Sequence, residues 1–181
     1  MSKREERQEW VFELTIPLME EYGEYYKKLK PKSKIHPLKA NGKIVNLAPY
    51  PLSLNITNNM EHPQRNAVKQ KWSDFICWWV DKLGYANLGL NGIEMFVEFH
   101  FGDFRDRDIG DNYNLKFIND GFVKSGFIVD DNCKIIQKVQ YVYKGVCKEF
   151  PRTIIRFVKL DDDEIIKDER KNKTIKNSKE E

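Results

Sequence analysis

GDFRDRDIGDNYNLKFINDGFVKSGFIVDD, residues 102–131, sets Asp103, Asp106, Asp108, Asp111, Asp130 and Asp131 around one short amphipathic segment that carries Lys116 and Asp120. Crowded carboxylates raise one another's pKa and repel in the charged form unless a cation sits among them. The stretch therefore points to a divalent metal. The same acids also suit solvated loop ends and a helix N-terminus, where Asp is favoured by up to about 1 kcal/mol, and composition alone leaves both readings open.

The middle of the stretch predicts a helix from about Asn112 to Ser125, with Leu115, Ile118 and Phe122 on its buried side and Gly126 as its stop. Asn112, Lys116 and Asp120, spaced at i, i+4 and i+8, share its polar face. Such a helix advances roughly 20 Å at 1.5 Å per residue, and six extended residues return at most roughly 20 Å. Asp131 can rejoin Asp108 and Asp111 only if GFIVDD runs back alongside the helix. Gly126 suits the reversal, and Phe127, Ile128 and Val129 suit a buried strand.

Upstream, Asn91-Gly92 turns the chain into a strand with Ile93, Met95, Val97, Phe99 and Phe101 on one face and Glu94, Phe96, Glu98 and His100 on the other. That strand feeds the acidic stretch directly. From Gln64 to Leu83, the residues Val68, Trp72, Phe75, Ile76, Trp79, Val80 and Leu83 form one broad helical stripe, which Gly84 is placed to end. Trp72 and Trp79 read as core or subunit contact. At the start, Trp10, Phe12, Leu14 and Ile16 alternate with Val11, Glu13 and Thr15 as a half-buried strand ending at Pro17.

Residues 18–58 read as a basic loop and hairpin insert. Lys27, Lys28, Lys30, Lys32 and Lys34, interleaved with Tyr25 and Tyr26, either hold phosphates and stack bases or form a solvated loop whose tyrosines pack on the core. Asn41-Gly42 suits a type I′ turn between Ile35–Leu38 and Ile44–Leu47. Beyond Asp131, strands at about Lys134–Tyr143 and Thr153–Leu160, joined by Lys144–Pro151, read as a closing hairpin. Residues 161–181 begin DDDE, continue lysine-rich and almost without apolar residues, and read as a disordered tail.

A chain of 181 residues with 40% hydrophobic content supports one core, so residues 1–160 are expected to form a single domain. The net charge of +3 says little by itself; the separation of a basic 27–43 from an acidic 103–131 suits a polyanion partner beside a metal. Cys77, Cys133 and Cys147 form no CxxC pair, and an odd count points to a reducing compartment. No apolar run approaches the roughly 20 residues of a membrane span, and MSKREERQE is too polar for a signal peptide. The expectation is a cytoplasmic protein with no membrane partner.

The signature RDIGDNYNLK, then Asp120, Gly126 and Asp130-Asp131, resembles the RusA-type Holliday junction resolvases, whose hallmark is D-x-D-N-x-x-K, an Asp four residues on, a Gly and a closing Asp-Asp. The likeness covers roughly residues 10–160. It includes a strand ending in a His (FVEFHFGDFRDRD), a first strand ending FELTIP with Tyr-Tyr soon after, the intervening helix and the C-terminal strands. From Lys116 to Asp131 the spacing is the family's own. Before Lys116 it departs: Asp108 and Asp111 are three apart where the family has two, and Asp111 lies five residues before Lys116 where the family has four. Asp106 is thereby an alternative ligand.

The resemblance implies an α+β fold, a RusA-like mixed sheet of about four to six strands packed with two main helices, as a homodimer. It implies a Mg²⁺-dependent endodeoxyribonuclease, with Mn²⁺ as a substitute, that resolves four-way DNA junctions by paired nicks in recombination and repair. Asp108, Asp111 and Asp131 would be the metal-binding catalytic acids and Lys116 the essential basic residue. Asp130, Asn112 and Asp120 would stand beside them, Asp120 orienting Lys116 or capping structure. Arg105 and Arg107, with Lys27, Lys28 and Lys30, would contact DNA, although both arginines equally suit neutralising their neighbours. Phe104 reads as a loop anchor, and His100 as a strand residue that binds no metal. The rival expectations are a branched-DNA-binding protein of the same fold without cleavage, and an unrelated module holding structural Ca²⁺.

Overall fold

The computed structural model describes residues 8–15, 20–29, 38–40, 43–45, 54–102 and 114–160. It is an α+β fold built on a four-stranded mixed sheet. In chain order the elements are β1 (Glu9–Thr15), α1 (Glu20–Leu29), β2 (Leu38–Ala40), β3 (Lys43–Val45), α2 (Leu54–Asn58), α3 (His62–Lys82), β4 (Ile93–Phe101), α4 (Leu115–Lys124), β5 (Ile136–Val146) and β6 (Arg152–Lys159). The sheet order is β1-β6-β4-β5, and β2 pairs with β3 in a separate two-stranded ribbon.

The expected closing hairpin is corrected by this order. β5 and β6 follow one another in sequence but do not pair, because β4 lies between them: β4 runs antiparallel to β6 and parallel to β5. Parallel neighbours need a crossover, and α4 supplies it, so β4, α4 and β5 form a strand-helix-strand unit. Alternation along β4 puts Met95, Val97 and Phe99 into the core. On the opposite face Glu94 pairs with Lys138 at 2.7 Å, and Glu98 bridges Arg156 at 3.3 Å and Lys144 at 3.4 Å.

β1 is fastened by Phe12, whose ring meets Trp79, Tyr85, Phe122, Phe127 and Phe157 at centroid distances of 4.8 to 5.9 Å. One side chain thus ties an edge strand to α3, to α4 and to the chain leaving each helix. Trp72 and Trp79 are buried in the same core. Both helices end in the same way. Gly84, at φ +74°, donates to Asp81 O while the Tyr85 N–H reaches Val80 O; Gly126, at φ +69°, donates to Val123 O while the Phe127 N–H reaches Phe122 O. This double bond pattern satisfies carbonyls that the last turn leaves open, and it requires a residue that tolerates positive φ.

Lys27 and Lys28, expected on a loop, lie on helix α1. Tyr22 and Tyr25 lie three residues apart on α1, and both rings pack against Phe75, at 5.2 and 5.8 Å; Tyr25 also meets Trp78 at 5.4 Å. Tyr25 therefore serves the α1–α3 contact instead of offering a stacking face for bases. The ribbon expected around Asn41-Gly42 is present as β2 and β3, with Ala40 opposite Lys43. The tail at 161–181 lies outside the described residues.

Candidate active site

α4 begins later than its periodicity predicts, at Leu115 instead of about Asn112. Asn114 precedes it, buried, and donates through Nδ2 to Thr57 Oγ1 at 3.3 Å, which moors the start of α4 to α2. Neither Asn114 nor Thr57 stands out in the sequence as part of a site. Lys116 falls in the first helical turn, where the helix dipole disfavours a cation. Two carboxylates offset that cost. The Lys116 ammonium donates to Asp131 Oδ2 and forms a 2.9 Å contact with Asp120 Oδ1 one turn along.

Asp131 arrives there by the predicted route. After the reversal at Gly126, the chain runs beside Leu90 as a short parallel bridge: the Leu90 N–H bonds Phe127 O at 2.9 Å and the Val129 N–H bonds Leu90 O at 3.1 Å. The segment makes this one bridge and not a full strand. Asp130 Oδ1 then accepts the Asp131 N–H at 2.7 Å and Oδ2 accepts Asn132 Nδ2 at 2.6 Å. With both oxygens engaged, Asp130 shapes the turn that aims Asp131. Asn132 continues the turn by accepting the Lys134 N–H at 2.9 Å.

A fourth member, Lys69 of α3, places its ammonium 2.8 Å from Asp120 Oδ2 in an ion pair. Charges thus alternate Lys69, Asp120, Lys116, Asp131 across α3, α4 and the return segment. Burial by itself would raise the Asp120 carboxyl, but the two ammoniums outweigh it and hold the group below the usual aspartate range. The hydrogen bond to Asp131, opposed by partial burial and aided by Asp120, lifts Lys116 above the ordinary lysine value. Lys116 is accordingly a fixed cation at neutral pH and no general base. An ammonium has three N–H donors; two are engaged, and with the side chain 57% exposed the third is open to a ligand.

Asp103, Arg105, Asp106, Arg107, Asp108, Asp111 and Asn112, and Lys30, lie outside the described residues, as does the side chain of Lys27. Lys28 is exposed on α1. Of the expected ligands, Asp131 is placed, with Oδ1 unbonded to protein among the described residues. No group of three or more His, Cys, Asp or Glu suited to a metal occurs among the described residues. Asp108 and Asp111, the other two acids expected to bind metal, lie outside the described residues. His100 lies on the sheet face opposite the core with Arg152, Glu98, Lys144 and Glu13; burial first, then Arg152, lowers its pKa. Cys77, Cys133 and Cys147 are free thiols. No helix among the described residues is long and apolar enough to cross a membrane.

No family model matches the chain, and no curated protein matches it.

Proposed function

We propose that this chain is a metal-dependent, structure-selective endonuclease of the RusA-like kind, acting as a homodimer on four-way DNA junctions. One observation carries the reading: Lys116 and Asp131, fifteen residues apart, meet through the reversal at Gly126. A lysine in a helix's first turn beside an acid from a separate segment contributes little to folding, since exposed ion pairs are worth about 0 to 1 kcal/mol. It is well suited to holding a phosphate next to a cation.

Asp131 would share a Mg²⁺ or Mn²⁺ ion with Asp108 and Asp111, or Asp106. Chain length allows this, because Asp111 is three residues from Asn114 and so at most roughly 10 Å away. A bound divalent ion supplies a more acidic attacking water and neutralises charge on the scissile phosphate. Lys116 aims its remaining N–H at a non-bridging phosphate oxygen, where charge grows in the transition state. Asp120 keeps that ammonium from swinging away. In the reaction, a water oxygen bonds to phosphorus, the phosphorus bond to the leaving sugar oxygen breaks, and the water's proton passes through solvent to the leaving group. Two symmetric nicks need two like sites, which a two-fold dimer provides.

The test is a synthetic immobile four-way junction incubated with Mg²⁺ and either wild type, Asp108→Asn or Asp131→Asn. Paired symmetric nicks are expected from wild type, with a loss of at least a hundredfold in each variant while junction binding persists. Binding without nicks by wild type would instead mark a non-catalytic branched-DNA-binding protein.

A further inference from the structure

We propose that Lys69 and Arg65, on the first two turns of α3, form a phosphate-binding track that continues from Lys116 and carries the nucleic-acid backbone away from the cleavage point. The inference rests on the reading that Lys116 faces a phosphate, and it adds a path that none of the expected DNA contacts described.

Arg65, Lys69 and Ser73 form one i, i+4 ridge of α3. That ridge is the one against α4: Lys69 touches Asp120, and a Cβ added to Gly121 would lie 2.9 Å from Ser73 O. Arg65 therefore continues the line of cations one turn beyond Lys69. It is half-buried and makes no ion pair among the described residues. Along the helix axis the two residues are separated by roughly 6 Å, four residues at 1.5 Å.

The balance of charge also favours an anion here. Asp120 carries one negative charge between the ammoniums of Lys69 and Lys116, at 2.8 and 2.9 Å. With Arg65 added, three cations face the two carboxylates Asp120 and Asp131. Lys69 is 41% exposed and one contact engages it, so N–H donors are left for phosphate oxygens. Asp120, 20% exposed, acts as the spacer that holds two flexible lysines at a fixed separation. This preorganisation reduces the rotamer entropy lost when DNA binds. Such contacts carry no base preference and would set the register of the strand across the site.

The experiment measures binding of a labelled four-way junction across a salt series in EDTA, so that no cutting intervenes, for wild type, Arg65→Gln, Lys69→Gln, the double variant and Lys69→Arg, with melting curves for each. Each glutamine substitution is expected to weaken binding on the order of tenfold and to lower the slope of log K against log salt by about one. Lys69→Arg should restore most of the loss. Should Lys69→Gln fold poorly, Arg65→Gln, which breaks no ion pair among the described residues, carries the test alone. Wild-type affinity and slope in the double variant would overturn the track while leaving the nuclease reading intact. Weakened binding by variants of a wild type that binds but never nicks would uphold the track and sink the nuclease. A wild type that binds no DNA would end both.

Discussion

Lys116 owes its position to two acids, and its behaviour with pH follows from them. Its pKa is raised in the folded protein, so its contribution to stability is complete below the unfolded value of 10.5 and is lost as pH rises through the folded one. Asp120 is lowered, so its contribution is present above the unfolded value of 3.8 and is lost as pH falls through the folded one. The melting difference between wild type and Lys116→Gln should therefore be flat from about pH 5 to 9 and shrink outside that window. A difference that varies strongly near pH 7 would mean that another group titrates against Lys116. The Lys116–Asp131 meeting was legible beforehand, because Gly126 and the short apolar run after it leave the chain few other routes. Lys69 was not: on α3 it is one of several polar residues, and only the docking of α4 singles it out.

At the scale of elements, the close approach of α3 and α4 depends on a residue the periodicity does not mark. A Cβ on Gly121 would lie 2.5 Å from Ile76 Cβ and 2.9 Å from Ser73 O. Gly121→Ala should destabilise by about 1 to 3 kcal/mol through overpacking, read by chemical denaturation. Because the shift separates Lys69 from Asp120, it should also reduce activity. At Gly126 an added Cβ would meet Asn87 Oδ1 at 2.9 Å in a backbone of φ +69°. Gly126→Ala should therefore cost about 1 to 2 kcal/mol and misdirect Asp131. If either variant melts as wild type does, the packing described here is wrong.

The strands themselves were readable from alternation, yet their pairing was not. A five-residue connection between β5 and β6 suits a hairpin as well as it suits two strands separated by β4. The order strand, helix, strand in β4, α4 and β5 is the signal that decides it, since such a unit favours parallel neighbours. Burial agrees: β6 buries Thr153, Ile154, Ile155 and Phe157 as an inner strand, whereas β5 leaves Val139, Tyr141 and Tyr143 exposed as an edge strand does. The helix at α1 was missed because Gly23 and the run of lysines resemble a loop. Its tyrosine stripe gains stability by packing on Phe75 and Trp78 of α3.

For the whole molecule, aromatic rings from β1, α3, α4, β6 and both helix exits fill the described core. Chelation should then stop cleavage and leave the melting temperature within about 2 °C of its starting value. A fall of 10 °C or more with EDTA would favour a structural Ca²⁺ module instead. The account turns on acids from two separate segments sharing one divalent ion beside Lys116. Mn²⁺ binding followed by electron paramagnetic resonance tests this most directly, in wild type, Asp108→Asn, Asp131→Asn and Asp74→Asn, the last a surface acid paired with Lys124. Stoichiometric binding in wild type and in Asp74→Asn, weakened at least tenfold by Asp108→Asn and by Asp131→Asn alike, is the predicted result; Mn²⁺ bound as tightly by Asp131→Asn as by wild type would contradict it.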